Sequence, residues 1–373
     1  MQLNSRLSEQ EHNVHPVYRP DIDGLRAVAI LSVVVFHAFP THLRGGFVGV
    51  DIFFVISGFL ISNIIFRSLQ RGDFSFTEFY AHRIKRIFPA LILVLATSFA
   101  LGWFTLLPDE FKQLGKHMAA GAGFVQNFVL WKEAGYFDTA SELKPLMHLW
   151  SLAIEEQFYL IYPLLIWAAW RVRLNALAVL IGLAALSFGL NVLEIRAEAV
   201  KTFFVPQTRY WELLAGAVLA YLQLFRRTQP AVGDDQDASS PVLIGQPASS
   251  AHRRRVRNNL QSACGLFLIL VAVIAIHKGK AFPGWWALAP VTGAFLLILA
   301  GPQAWVNRNL LANRLMVFVG VISYPLYLWH WPILSFARIV EAEMPSPEIR
   351  GAAVALSFLL AWLTYRLLER PIR

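Results

Sequence analysis

Long apolar runs dominate the chain and indicate its fold class. Five stretches contain no Asp, Glu, Lys or Arg over 20 or more residues: Ile87–Pro108, Leu174–Leu193, Asn258–His277, Ala281–Asn307 and Leu315–Ala337. A helix needs about 20 apolar residues to cross a bilayer core of about 30 Å. Each stretch is therefore predicted to be a membrane-spanning helix.

Five further segments complete the predicted set of spans. Ala27–Leu43 is near the lower length limit, and four others are slightly short or interrupted by charge: Phe47–Phe66, Met147–Trp170, Tyr210–Phe225 and Gly351–Leu368. The runs do not alternate as membrane β-strands do. The sequence thus predicts an all-α polytopic membrane protein, with about ten transmembrane helices in a single domain over residues 1–373.

The distribution of Lys and Arg predicts how these helices are oriented. With ten spans and a cytoplasmic N-terminus, the inside segments hold 21 of these residues and the outside loops 12. If the short, glycine-rich segment His117–Trp131 also crossed the membrane, the inside segments would hold 17 Lys and Arg residues and the outside loops 16. Cytoplasmic loops collect basic residues. Both termini are therefore predicted to be cytoplasmic, with His117–Trp131 re-entrant or interfacial.

Two polar segments lie outside the predicted spans. The cytoplasmic N-terminal tail, residues 1–22, shows no cleavable signal peptide, so the first span is expected to remain as an anchor. The segment Arg226–Asn259 is rich in Gly, Pro, Ser and Asp and has arginines near both ends. This composition predicts a flexible cytoplasmic linker.

Composition excludes an ordinary soluble domain. Apolar residues make up 56% of the chain and charged residues 15%, against about 25% charged residues in a typical globular domain. Basic cytoplasmic loops and anionic lipid explain the net charge of +9 better than a nucleic-acid partner does. Because the single cysteine, Cys264, lies inside a predicted span, neither a disulfide nor a thiolate metal site is expected. We predict no bound metal.

Charged residues at membrane depth are costly and usually face a cavity or a partner. Arg26 and His37 are eleven positions apart in the first span, hence within about 20° around the helix and roughly 16 Å apart along it. Asp51 is expected at about the depth of His37, where a carboxylate would orient the imidazole of a general base. Alternatively, Arg26 only sets the topology, His37 packs two helices and Asp51 reaches the outer interface.

The segment HLWSLAIEEQFYLIYP carries a second group of ionisable residues. His148 and Glu155 are seven positions apart, which places them on one helix face about 10 Å apart. Glu155 and Glu156 point about 100° apart, so we expect only one of them to face a small site while the other pairs with a cation. Two acids in one span favour a functional role over a packing role.

Two more segments contain candidate residues. SYPLYLWHWP places Ser323 and His330 seven positions apart with Tyr327 between them; helix packing and an aromatic belt are the alternatives to a site. In HRIKR, Arg83 and Arg86 are three apart, which puts two guanidinium groups on one side of a helical turn, suited to phosphates. Alternatively, these arginines reflect only the general excess of basic residues in cytoplasmic loops.

Five ordered blocks of this chain resemble the integral-membrane acyltransferase-3 family, which includes O-acetylases of bacterial surface polysaccharides. The blocks are YRPDIDGLRAVAILSVVVFHAF with GGFVGVDIFFVISGFLIS, then FYAHRIKRIFPA, HLWSLAIEEQFYLIYP, SYPLYLWHWP and YRLLERPIR. The resemblance runs from Tyr18 to Arg373. The family's Arg-x10-His, Arg-x-x-Arg and acidic elements fall on Arg26 and His37, on Arg83 and Arg86, and on Glu155 to Phe158.

The resemblance implies a multi-pass protein of the bacterial inner membrane that transfers an acyl group, commonly acetyl. The donor would be cytosolic acyl-CoA, a co-substrate rather than a permanently bound cofactor. The acceptor would be a hydroxyl of an envelope sugar, such as lipopolysaccharide or a lipid-linked glycan, on the outer side. Some relatives continue into an SGNH-hydrolase-like domain. We expect no such domain in this chain. The expected partners then include a separate periplasmic acyltransferase, together with membrane lipids.

The residues and the resemblance together give each candidate a predicted role. His37 acts as general base or becomes transiently acylated, with Glu155 or Asp51 orienting its ring. Three arginines bind the acyl-CoA phosphates: Arg26, Arg83 and Arg86. A third group binds the acceptor or supports the site: His148, Trp150, Glu156, Tyr327 and His330, with Trp331 as a further stacking residue.

Two other functional classes remain open on the residues alone. A proton-coupled transporter or flippase of an anionic or glycosylated substrate also uses intramembrane His, Asp and Glu. A non-catalytic membrane scaffold would tolerate replacement of His37 and Glu155. Release of free CoA distinguishes the acyltransferase from both.

Overall fold

A computed structural model describes residues 18–135, 140–225, 248–277 and 279–372, and in these ranges the chain is helical, with no β-strand. The α-helices are α1 Pro20–Ala38, α2 Gly49–Arg71, α3 Phe76–Thr105, α4 Pro108–Ala122, α5 Gln126–Glu133, α6 Leu149–Arg171, α7 Ala176–Glu194, α8 Ala199–Phe204, α9 Tyr210–Phe225, α10 Ala248–Ala275, α11 Leu288–Ala300, α12 Arg314–Val321, α13 Ser323–Glu341, α14 Pro347–Thr364 and α15 Arg370–Ile372. Short 3₁₀ turns cover Gly46–Val48, Ser141–Leu143, Pro206–Thr208 and Gly284–Ala287, and π-turns cover Asn307–Leu311 and Tyr365–Glu369.

The described helices bear out an all-α membrane protein, with fewer full-length spans than the ten predicted. Five continuous helical segments are long and apolar enough to cross a bilayer: Gly46–Arg71, Phe76–Thr105, Ala176–Glu194, His252–Ala275 and Pro347–Ile372. The bent pair α12 and α13 makes a sixth, and α9 and Gly284–Ala300 are apolar but shorter. The segment His117–Trp131 divides between α4 and α5, neither of which has the length of a span.

The stretch Leu315–Ala337, predicted as one span, is instead two helices that meet at an angle of 68°. The break lies at Ile322, between Val321 at the end of α12 and Ser323 at the start of α13. Pro325 explains it: a proline ring clashes with the carbonyl four residues earlier, here Val321, so the helix cannot run straight through. The bend turns α13, with Tyr327 and His330, into the protein interior.

Helix α2 forms the centre of the molecule. In its most apolar stretch of 18 residues, 72% of the residues are buried, against 22 to 39% in the corresponding stretches of the other four long helices. It crosses α9 at very short range, because a Cβ added at Gly58 would lie 1.8 Å from the carbonyl oxygen of Leu213, and one at Gly216 would lie 2.1 Å from that of Val55. Only glycine permits this backbone contact, which is how membrane helices commonly pack closely.

Helices overlap the inner ends of both segments that were predicted as polar extensions. Helix α1 starts at Pro20, a favourable first helical residue because its missing N–H would be unpaired there anyway; the predicted tail therefore overlaps the helix, and its residues 1–17 lie outside the described residues. Of the predicted linker Arg226–Asn259, residues 226–247 also lie outside them. The rest of it is helical, because α10 begins at Ala248.

Candidate active site

Two cavities lie side by side between the helices. The first, which we call the basic cavity, has a volume of about 100 Å³. Its polar lining includes Arg26 of α1, Arg83 and Arg86 of α3, and Glu155 and Glu156 of α6. The structure therefore brings together the three arginines predicted to bind an anionic ligand, although they come from two different helices.

The second, which we call the histidine cavity, has a volume of about 330 Å³. Its lining includes these candidate residues: His37, Asp51, His148, Trp150, Tyr327 and Trp331. Arg26 and His37 lie near opposite ends of α1, so the two cavities occupy opposite halves of the helix bundle. Val50 and Tyr327 line both of them, so the cavities are adjacent at these two residues.

In the basic cavity, Glu155 and Glu156 both contribute to the lining, so the prediction that only one of them would face the site is wrong. Glu155 accepts hydrogen bonds from Ser57 Oγ at 2.5 Å and from the Tyr159 hydroxyl. The guanidinium of Arg83 lies 6.0 Å from the centre of the Tyr159 ring, a cation–π distance.

Three imidazole rings meet beside the histidine cavity. His37 Nδ1 lies 3.0 Å from His330 Nε2, and the two rings are nearly parallel, with centroids 5.2 Å apart. His148 packs against the ring of His330 at 5.8 Å. Trp331 lies edge-on to His37 at 4.4 Å. Within the described ranges, no three His, Cys, Asp or Glu side chains are arranged to hold a metal ion.

The prediction that Glu155 or Asp51 orients the His37 ring is wrong for its Nδ1 nitrogen. Neither Asp51 nor Glu155 orients that nitrogen, because His330 occupies the position. Asp51 is fully buried and accepts from Arg209 Nη2 at 3.0 Å. Arg209 Nη1 also lies 3.2 Å from Glu212 Oε1. The intramembrane Asp51 is thus held by a cation, as the cost of a buried charge requires.

Tyr327 is fixed between the two cavities by two hydrogen bonds. Its hydroxyl donates to the carbonyl oxygen of His148 at 2.5 Å and lies 2.7 Å from Ser151 Oγ. Trp150 is buried, packing on Phe203 at a centroid distance of 4.6 Å. Both aromatic side chains therefore line the histidine cavity as parts of a packed wall.

Arg209 is the most important site residue that the sequence analysis missed. Its guanidinium lies 5.5 to 5.9 Å from the ring centres of Phe54, Trp150, Phe203 and Phe282, and it lines the histidine cavity. A signal was present. Arg209 and Glu212 stand three residues apart at the start of an apolar segment, and an intramembrane Asp51 requires a cation.

Hydrogen bonds connect α13 to the segment 141–144, which contributes Ser141 and Glu142 to the wall of the histidine cavity. Trp331 Nε1 donates to the carbonyl oxygen of Lys144 at 2.9 Å, and Ser335 Oγ donates to that of Glu142 at 2.9 Å. Lys144 Nζ in turn contacts Glu133 at 3.1 Å. These bonds hold residues 141–144 against the helix that carries His330.

Glu133, outside the span-length helices, anchors this wall through three donors. Lys116 Nζ and His117 Nε2 lie 2.7 and 2.9 Å from its carboxylate oxygens, in addition to Lys144. Burial opposes the charge of Glu133, but the hydrogen bonds outweigh it and lower its pKa to about 2. Burial lowers the pKa of His117, and Glu133 opposes that shift.

Comparison with known proteins identifies the family of the chain. The acyltransferase domain family matches residues 19–366. A peptidoglycan O-acetyltransferase of Listeria monocytogenes, OatA, is 30% identical over 365 residues, which cover 95% of this chain and 56% of the relative. The O-acetyltransferase OatA of Staphylococcus aureus is 29% identical over 368 residues, covering 96% and 58%.

The chain spans a little over half the length of these curated relatives. No solved structure matches it. The family match covers nearly the whole chain and includes both arginine elements, His37 and the acidic block. This chain belongs to the membrane-embedded acyltransferase-3 family.

Proposed function

We propose that this protein is an O-acyltransferase that moves an acyl group, acetyl in the simplest case, from cytosolic acyl-CoA to a hydroxyl of an envelope glycan outside the membrane. One observation carries the proposal: the basic cavity and the histidine cavity are adjacent, because Val50 and Tyr327 line both of them. A site for a phosphate-bearing donor then adjoins a site with an imidazole. The name of the Listeria relative, a peptidoglycan O-acetyltransferase, favours a cell-wall acceptor.

The proposal includes an orientation for the protein. We propose ten spans in the bacterial inner membrane, counting the shorter apolar helices, with both termini in the cytoplasm. The excess of Lys and Arg in the inside segments supports this orientation. The basic cavity then faces the cytosol and the histidine cavity faces outward. Donor and acceptor approach from opposite sides and meet at His37.

Each group has a role in this proposal. Arg26, Arg83 and Arg86 bind the CoA phosphates, because guanidinium groups form charge-assisted bonds with phosphate oxygens. The pantetheine arm extends along α1 and brings the thioester toward His37, roughly 16 Å from Arg26 by helix rise. The walls of the histidine cavity hold the sugar.

The chemistry is a single acyl transfer. The acceptor oxygen attacks the thioester carbonyl carbon, so that a C–O bond forms and the C–S bond breaks. His37 takes the hydroxyl proton as general base and passes it to the departing thiolate. The products are an O-acyl ester and free CoA. Transient acylation of His37, followed by attack of the hydroxyl, gives the same products.

The test compares the wild-type protein with His37→Ala in isolated membranes supplied with acetyl-CoA. We expect CoA thiol and acetyl-labelled glycan from the wild type, and loss of both in His37→Ala. His42→Ala is the matched control, because His42 lies five positions further along and is exposed; it should retain wild-type turnover. Wild-type turnover in His37→Ala would refute the proposal, and substrate movement without thiol release would favour a transporter.

A further inference from the structure

The hydrogen bond between His37 and His330 defines which nitrogen of His37 can react. Resting on the proposed function, in which His37 is the reacting residue, the inference concerns the proton positions of this pair. His330 is fully buried. Both of its ring nitrogens have a hydrogen-bond partner. The partner of Nδ1 determines where the proton of His330 lies, and this in turn determines where the proton of His37 lies.

The first step is at His330 Nδ1. This nitrogen lies 2.7 Å from the carbonyl oxygen of Tyr327 and 3.2 Å from that of Leu326. A carbonyl oxygen can only accept a hydrogen bond, so Nδ1 of His330 carries a hydrogen. None of the contacts of His330 within the described chain is with a carboxylate, and a buried imidazolium without a counter-charge is costly. His330 is therefore neutral, with a lone pair on Nε2.

The second step is at His37. Because Nε2 of His330 has a lone pair, Nδ1 of His37 must donate the hydrogen bond of 3.0 Å between them. We propose that His330 is a positioning residue that holds the proton of His37 on Nδ1, so that Nδ1 cannot accept a proton from a substrate. Nε2 is then the nitrogen that takes the acceptor proton or attacks the thioester.

The two histidines of the pair have different roles. His330 uses Nδ1 on its own helix and Nε2 on His37, so it retains no nitrogen for a substrate. His37 lines the histidine cavity, whereas His330 does not. Trp331 contacts the His37 ring edge-on at 4.4 Å and resists its rotation. The sequence SYPLYLWHWP therefore supplies a support for the base rather than a second base.

A matched pair of amide substitutions tests this role. The oxygen of glutamine reaches the position of histidine Nε2, whereas the shorter asparagine reaches only that of Nδ1. His330→Gln can therefore still accept from His37, and His330→Asn cannot. We expect kcat within about tenfold of the wild type for His330→Gln. For His330→Asn we expect a loss of at least about 100-fold, since the wrong tautomer costs other enzymes up to about 10⁴-fold.

The KM for acetyl-CoA should stay within about threefold in both variants, because the hydrogen bond to His330 acts on the reacting imidazole and not on the phosphates. A merely structural role for His330 would change both variants alike. Wild-type kcat in His330→Asn would overturn the proposal. So would an equal loss of kcat in the two variants.

A second readout does not depend on turnover. In ¹⁵N-histidine-labelled protein in lipid nanodiscs, the His37 signals are identified by their disappearance in His37→Ala. We expect a protonated Nδ1 and an unprotonated Nε2 in the wild type and in His330→Gln, and loss of that preference in His330→Asn. A proton on Nε2 in the wild type, or an unchanged tautomer in His330→Asn, would overturn the inference. If the tautomers are as expected but no CoA is released, the proposed function fails and the positioning role stands.

Discussion

Arg209 and Asp51 form an ion pair of 3.0 Å in which each side chain is only 1% exposed. Glu212 shares the same guanidinium at 3.2 Å. One guanidinium thus contacts two buried acids, one from helix α2 and one from helix α9, at the wall of the histidine cavity. This cluster connects the central helix of the fold to the site.

Arg209→Met should be among the most destabilising single substitutions in the chain. It leaves two buried carboxylates without a cation, and removing one partner of a buried pair costs about 3–5 kcal/mol. Asp51→Asn should cost less, because a one-to-one pair of Arg209 and Glu212 remains. Thermal unfolding in detergent checks this order. Equal stability of Arg209→Met and the wild type would contradict it.

Arg86→Ala should weaken donor binding specifically. Losing a charge-assisted bond of about 1.5–3 kcal/mol corresponds to an increase of about tenfold or more in the KM for acetyl-CoA, with kcat changed little. Arg71→Ala is the control, because Arg71 is exposed and pairs only with groups near it in sequence, Asp73 and Ser68. An unchanged KM in Arg86→Ala would remove this arginine from the donor site.

Gly58→Ala should destabilise the contact between α2 and α9. The new Cβ would lie 1.8 Å from a backbone oxygen that cannot move independently, and overpacking of this kind costs about 1–3 kcal/mol or more. Gly182→Ala in α7 is the matched control, because nothing lies within 4 Å of its added Cβ. Thermal stability should fall for Gly58→Ala and stay equal or rise for Gly182→Ala; the same loss in both would argue against close packing.

The Glu133 cluster predicts a definite pH dependence. Because the folded protein lowers the pKa of Glu133 from 4.5 to about 2, the carboxylate stabilises the fold at all pH values above about 5. That contribution is lost as the pH falls from about 5 to 2. After allowance for solvent screening it amounts to about 1–2 kcal/mol. Glu133→Gln should therefore be less stable than the wild type at pH 7, and the gap should narrow below pH 5. A constant gap would contradict the assignment.

Much of the fold was predictable because membrane helices are defined by local hydrophobicity. The position of α9 matches the predicted Tyr210–Phe225, and α7 differs from its predicted span by two residues or fewer at each end. The break at Ile322 was not predicted. The hydrophobicity of a segment does not report the steric clash of Pro325 with the carbonyl of Val321, although the proline itself is present in the sequence.

The site was predictable in its members but not in their pairing. Helix geometry placed Arg26 and His37 along one face, and both line cavities. The partner of His37 comes from a helix 293 residues away, and no periodicity within one helix encodes such a contact. An acid was the reasonable expectation for that partner, yet Asp51 is held by Arg209.

The most direct test of the central claim uses sealed inside-out vesicles that carry the acceptor glycan in the lumen. Labelled acetyl-CoA is added outside, followed by a membrane-impermeant esterase. We predict label on the glycan that resists the esterase until detergent is added, and no label with His37→Ala. Label that the esterase removes without detergent, or label that persists in His37→Ala, would contradict transfer across the membrane through His37.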